Sequence, residues 1–268
     1  MPNLLGYIQE LEGKYNFERR DIIIRWLRER KIPIKLHKYA TGTNIIIHAT
    51  KAPKFGVSGH FDVVPRSPGA NDNGSSIAVI MGLLEALQES PTQNIGVELM
   101  IFDEEETGLI GSTAYTQEFG VEDFIGLINL ELVGMGNQFA LWPLSIHDYN
   151  PIASGFERFC KQSEISTLRM DRIVMNTADH ESFRDAGFED AFTLTVISDQ
   201  DKEVAAHYYK ALEFNVDQKT LYEIASQAPV FQHYHQPTDL SVHLSEESLQ
   251  MTVEAILGVI RGLDGRGF

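Results

Sequence analysis

Carboxylates and imidazoles recur along the 268-residue chain at the ends of apolar runs. His60 follows KFGVSG, Asp72 lies in the PGANDNG loop just beyond it, Glu105 and Glu106 follow VELMIF, Glu131 follows IGLIN, and His235 stands in YHQPTD. Two imidazoles and several carboxylates form a donor set suited to a pair of zinc ions, and the chemistry such a pair supports is hydrolysis. Groups so far apart in sequence can meet if each run is a strand of one open α/β sheet. Loops at the carboxyl ends of neighbouring strands then converge on one crevice.

Each group has a plainer reading when taken singly. Asp62 follows His60 by two residues, and a metal-bound histidine commonly gives its other ring proton to a carboxylate, which fixes its tautomer; capping of a turn is the alternative. Asp72 precedes a helix starting near Ser75, where Asn71, Asn73, Gly74 and Ser75 suit a turn and an N-cap. A carboxylate has two oxygens and can bridge two cations, however, and Asp72 is assigned that place. Asp103, Glu104, Glu105 and Glu106 form an acidic run directly after an apolar strand. Four carboxylates there repel one another unless a cation or a proton compensates. One glutamate of the run can bind metal while its neighbour handles the proton of an attacking water. Spacing leaves open which does which, and whether His233 or His235 is the ligand.

The elements that must position these groups follow from periodicity. The charged N-terminal segment through Lys31 has helical spacing, and residues 32–49 read as two strands joined by a Thr-Gly turn, followed by the strand ending at His60. Ser75 to Glu89, GLIGSTAYTQEF, residues near 149–164 and 179–187, and Ser245 to about Leu263 read as helices. VELMIFD, FIGLINLEL, FALWP and AFTLTVIS read as strands. This alternation predicts an α/β fold with a mostly parallel or mixed twisted sheet covered by helices on both faces. No linker or repeat interrupts it, so residues 1–268 are expected to form a single domain. The exception is 198–232, whose two helix-like stretches far exceed the connection needed; it is a candidate lid or substrate wall, or else an extra packing layer.

Composition narrows the partners. A formal charge of −16 and a pI near 4.9 argue against a nucleic-acid binder, which needs clustered Lys and Arg. No apolar stretch reaches membrane-spanning length, and the N-terminus lacks the order of a signal peptide. The single cysteine, Cys160, lies among Phe156 and Phe159 and reads as a buried, inert thiol. The expected location is the cytoplasm.

Six segments, GHFDVVP, PGANDNG, FDEEETGLIGS, INLELVG, ADHESF and YHQPTD, occur in the order and approximate spacing of a known family. From about residue 55 to 240 the chain resembles the co-catalytic zinc aminopeptidases of the bacterial leucyl and aminopeptidase-S type, a group that also includes the glutaminyl cyclases. The resemblance implies a three-layer zinc-exopeptidase sandwich and two zinc ions per chain. In the family motif FDGEELGLLGS the first glutamate after the glycine is the general base and the second binds zinc. Alignment on Gly108, Gly111 and Ser112 places the base on Glu105 and the ligand on Glu106, with Glu104 replacing the glycine. The same matching makes His60 and His235 terminal ligands, Asp72 the bridge and Tyr234 the oxyanion-stabilising tyrosine. Glu131 stands as a ligand where the family usually has Asp. Asp179 and His180 match a motif on the substrate side and are assigned to positioning, with helix capping the alternative for Asp179.

The resemblance further implies a metal-dependent aminopeptidase acting on peptides or aminoacyl compounds. A water activated by two zinc ions would attack the carbonyl, and Glu105 would carry its proton to the leaving amine. Three ligand carboxylates and ionised Glu105 together balance two divalent cations. The alternatives are a glutaminyl cyclase-like acyltransferase with one zinc, and a carboxypeptidase or acylamino hydrolase on the same scaffold. Glutaminyl cyclases typically carry an insertion in the acidic motif, which is uninterrupted here. Many of the others carry an inserted domain for which this chain has no room.

Overall fold

Apolar residues at nearly every position, as in GVELMIF and AFTLTVI, belong in strands covered on both faces. The computed structural model describes residues 3–171 and 177–265, and it places these runs at the centre of one eight-stranded sheet. The strands are β1 (Lys35–Lys38), β2 (Thr43–Ile47), β3 (Lys54–His60), β4 (Gly96–Phe102), β5 (Phe124–Leu130), β6 (Gln138–Trp142), β7 (Thr167–Arg169) and β8 (Ala191–Ile197). Their order across the sheet is β1-β2-β4-β3-β5-β8-β6-β7. The central four, β4, β3, β5 and β8, are mutually parallel. Antiparallel pairs flank them: β2 with β1 and β4, and β6 with β8.

The helices are α1 (Leu4–Leu11), α2 (Asn16–Glu29), α3 (Ser75–Glu89), α4 (Ile110–Phe119), α5 (Pro151–Gln162), α6 (His180–Asp185), α7 (Asp199–Glu213), α8 (Gln218–Ala225) and α9 (Glu246–Asp264). Alternate side chains of a strand face opposite ways, and β4 shows the result. Leu99 and Ile101 enter one core with α1, α2, α3, α5 and α9, while Met100 and Phe102 enter a second with Tyr115 of α4 and Phe183 of α6. The result is a three-layer α/β sandwich around a mixed sheet with a parallel centre. None of the helices among the described residues is long and apolar enough to cross a membrane.

Two elements differ from expectation. The N-terminal segment forms two helices, because Gly13 takes φ +70° and turns the chain after α1. The edge strand β7 is new; three residues are too few for an alternating pattern to register. Residues 198–232 contain α7 and α8, as their periodicity indicates.

The parallel centre delivers the chemistry. His60 is the last residue of β3, the acidic run follows β4, and Glu131 follows β5. The β1–β2 hairpin steadies the start of the acidic run: Thr43 N donates to Asp103 Oδ2 at 3.0 Å and Thr41 Oγ1 to Glu104 Oε2 at 2.6 Å. Asn44 of β2, fully buried, accepts from Asp103 N at 3.0 Å and donates to Gly111 O at 2.8 Å. Asn44→Ala would strand both backbone groups away from water. It is expected to lower the unfolding free energy by about 2–4 kcal/mol in urea titrations, and an unchanged midpoint would remove Asn44 from this role.

Candidate active site

Each site group arrives from a different loop, and the sequence holds the loops to one another before any of them holds a ligand. The 70–74 turn is the best example. Asn71 Oδ1 accepts from Gly134 N at 2.9 Å, Asn73 Nδ2 donates to Leu130 O at 2.8 Å, and Ser75 Oγ accepts from Val133 N at 3.1 Å. These side chains tie the turn to the loop after β5; neither Asn71 nor Asn73 caps α3, which has no side-chain cap. From the other side, the Asp239 carboxylate accepts from Asn71 N at 2.8 Å and Asp72 N at 3.1 Å.

Asp72 is thereby fixed with its two oxygens facing two imidazoles. Oδ1 lies 3.4 Å from His60 Nε2, and Oδ2 lies 3.2 Å from His235 Nε2. His60 Nε2 is also 3.5 Å from Glu131 Oε2 and 3.8 Å from Glu105 Oε2. His235 Nε2 is 3.0 Å from Glu106 Oε2. Two triads offer ligand atoms within 4.8 Å of one another, His60–Asp72–Glu106 and His60–Glu105–Glu131, and His235 adjoins the first through Asp72 and Glu106. His233 points elsewhere: its ring stacks on His243 and its Nδ1 lies 2.9 Å from Thr238 Oγ1. Of the two histidines, His235 is the one that the fold brings to Asp72 and Glu106.

Asp62 does more than sequence reasoning assigned to it. His60 Nδ1 lies 3.0 Å from the Asp62 carbonyl oxygen and 3.3 Å from its carboxylate, so the backbone oxygen is the nearer partner. The carboxylate instead collects the amides of Glu105 and Glu106, both at 3.1 Å, and so orients the acidic run. Three non-glycine residues adopt left-handed backbone here: Glu104 (φ 59°), Leu132 (φ 54°) and His235 (φ 58°). Such conformations cost on the order of 1 kcal/mol each and persist where surrounding contacts impose them.

Asp179 and His180 lie behind this cluster, both fully buried. Asp179 makes no helix cap. Burial, offset by His60 and the nearby Ser112 hydroxyl and reinforced by Glu131, raises its pKa to about 7. His180 Nδ1 lies 2.7 Å from Thr193 Oγ1, which accepts at 3.2 Å from Asn129 Nδ2; the same amide donates to Glu131 Oε1 at 3.4 Å. Burial lowers the His180 pKa to about 3, so this chain ends in a neutral ring. Sequence reasoning missed Asp239, Asn129 and Thr193.

The electrostatics favour cations. Burial alone would lower both ligand-side histidines. Nearby Glu131 and Glu105, with Asp62 and Asp72, instead raise His60 well above its ordinary value, and the Asp72 and Glu106 carboxylates beside it raise His235 to about 10. Burial raises Glu105, Glu106 and Glu131. Asp72 Oδ2, Glu106 Oε1 and His235 Nε2 are buried without hydrogen bonds. Buried ligand-type atoms left unpaired among concentrated carboxylates are what imidazole- and carboxylate-bound divalent ions would satisfy.

An apolar cleft adjoins the cluster. It is lined by His60, Asp72, Glu105 and Glu131 of the cluster, by Trp142 and Ile197, and by Val204, Ala205 and Tyr208 of α7 with Ala228 and Val230. Tyr234 also lines it, its ring stacked on His235 with centroids 3.8 Å apart.

Comparison with known proteins gives this arrangement its context. The chain is similar to aminopeptidase YwaD of Bacillus subtilis (strain 168), 23% identical over 249 residues that cover 87% of this chain and 48% of that protein. It thus spans about half the length of this relative. Among solved structures it is similar to the LapA aminopeptidase of Legionella pneumophila, with a TM-score of 0.73 and 16% identity over 99% of this chain and 72% of that one. It is also similar to the glutaminyl cyclase of Porphyromonas gingivalis, with a TM-score of 0.71 and 14% identity over 97% of both chains. At these identities the two structures speak for the fold alone. The sequence pattern of one family, in contrast, matches residues 44–260, a span that runs from Asn44 through every clustered imidazole and carboxylate into α9, and the chain belongs to Peptidase family M28.

Proposed function

We propose that this chain is a two-zinc aminopeptidase that removes the first residue of peptides. The observation that carries the reading is the division of ligand atoms by Asp72. Its Oδ1 sits with His60 and Glu131, and its Oδ2 with His235 and Glu106. Each half then has one imidazole, one terminal carboxylate and a share of the bridge. Glu131, longer by a methylene than the usual Asp, still reaches His60.

This division leaves Glu105 over, and Glu105 lines the cleft. When bound, the two cations would polarise the substrate carbonyl and acidify water. Glu105 accepts the proton of the attacking water and returns it to the leaving amine, a role suited to a carboxylate whose proton affinity burial has raised. Burial and the surrounding carboxylates, Asp72 foremost, hold the Tyr234 phenol far above its ordinary pKa, so it stays a hydrogen-bond donor for the developing oxyanion. Asp179 and His180 position from behind, His180 through Thr193, Asn129 and Glu131. The 198–232 segment serves as a substrate wall, and the apolar cleft it closes receives the side chain of the first residue.

A single-zinc glutaminyl cyclase would need only one of the two halves. The completeness of the His60 half, with Glu131 at 3.5 Å and Asp72 at 3.4 Å, favours the hydrolase. One zinc per chain together with pyroglutamate formation from an N-terminal glutamine peptide would reverse that order.

Two measurements test the reading. Glu105→Gln is expected to lower kcat by about 10²–10⁴-fold with zinc content and fold retained; turnover close to the parent would refute the assignment. A panel of aminoacyl amides and their N-acetylated counterparts is expected to show cleavage of free amino termini only. Equal cleavage of the blocked compounds would make the protein an acylamino hydrolase instead.

A further inference from the structure

Arg19, the fourth residue of α2, has no exposed surface. A fully buried guanidinium is rare, because its desolvation costs several kcal/mol unless neighbouring charge compensates. Here the compensation is diffuse. Arg19 makes no ion pair among the described residues, and the charges acting on it are those of Asp72, Asp239 and Asp62. Burial lowers its pKa to about 10, which leaves it cationic at neutral pH.

Its hydrogen bonds go to the backbone of the bridging loop. Nη1 donates to Gly69 O at 3.0 Å and to Pro68 O at 3.4 Å, while Nε and Nη2 have no partner. The loop is shaped to admit it. Gly69 takes φ +71°, and a Cβ there would lie 2.4 Å from Nη1; a Cβ on Gly74 would lie 3.4 Å from Nη2. The preceding turn is latched to the same stretch of chain, Gly13 N donating to Pro68 O at 2.8 Å and Asn16 Oδ1 accepting from Val63 N at 3.1 Å. Arg19 lies outside the residues that match the family pattern.

We infer that Arg19 is a positioning residue for the paired-cation site: it clamps the carbonyl side of the 68–74 loop while Asp239 clamps the amide side, so that Asp72 presents one oxygen to each half. The inference rests on the two-zinc reading above. Because the donor that Arg19 engages goes to carbonyls, it leaves both Asp72 oxygens to the cations. Its charge offsets part of that of the three buried aspartates around the loop.

Zinc affinity, measured by competition with a chromophoric chelator, tests the role in Arg19→Gln and Arg19→Lys beside the parent. Arg19→Gln is expected to lose about 10- to 100-fold in affinity, the usual cost of removing an outer support of a metal site. Arg19→Lys keeps the charge without the planar fork and should lose less, in the same direction. A purely structural role would lower the urea midpoint and leave the affinity of the folded protein unchanged. Removal of a repelling positive charge, acting alone, would raise it. Parental or tighter zinc binding by both variants, or by Arg19→Lys if the glutamine variant does not fold, overturns the inference. Parent protein that binds no zinc overturns the two-zinc reading and this inference with it.

Discussion

The fold closes many carboxylates into one crevice where burial keeps most of them from bulk solvent. Asp62, Asp72, Glu106, Glu131, Asp179 and Asp239 are buried or nearly so, and Glu105 sits beside them. Buried anions must be paired, protonated or bound to cations. The protein meets this constraint in layers. Backbone amides serve Asp62 and Asp239, Arg19 balances from beneath, and the two imidazoles face the remainder. What the imidazoles do not offset is concentrated at Glu105, Glu106 and Glu131 around Asp72. The chemistry is located by that residue of negative charge.

The scaffold explains why the geometry can be held. Parallel strands β4, β3 and β5 end side by side, so consecutive βα loops start within reach of one another. Those loops then bond to one another through Asn44, Asn71, Asn73 and Asp62, and little is left to side-chain flexibility. The apolar cleft is built differently. Much of its wall comes from α7 and the segment after α8, and Asp201 joins the two ends of that insertion by accepting from Ser198 N at 2.7 Å and Val230 N at 2.9 Å. The imidazole–carboxylate cluster and the apolar cleft therefore rest on separately supported parts of the chain.

Much of this was legible in the sequence because strong signals carried it. Three apolar runs each ending at a polar group announce parallel strands and a shared crevice, and His60, Glu105, Glu106 and Glu131 stand where those runs predict. His235 was not separable from His233 by spacing, since its orientation depends on a left-handed backbone at a residue that is neither Gly nor Asn. Asn71 and Asn73 have the chemistry of turn and cap residues, and only the fold shows that they tie loops together. Arg19 looks like one more surface charge in ERRD. Its position on the helix stripe shared with Ile23, Trp26 and Leu27 was the available signal. Asp239 left no comparable trace, because its partners are backbone amides far away in sequence.

In the proposed site Asp72 divides its oxygens between two cations. Anomalous diffraction at the zinc edge from zinc-soaked crystals tests it most directly. Two peaks per chain are expected, one on the His60 side of Asp72 and one on the His235 side. A single peak at saturating zinc, or two peaks of which Asp72 touches only one, would contradict it.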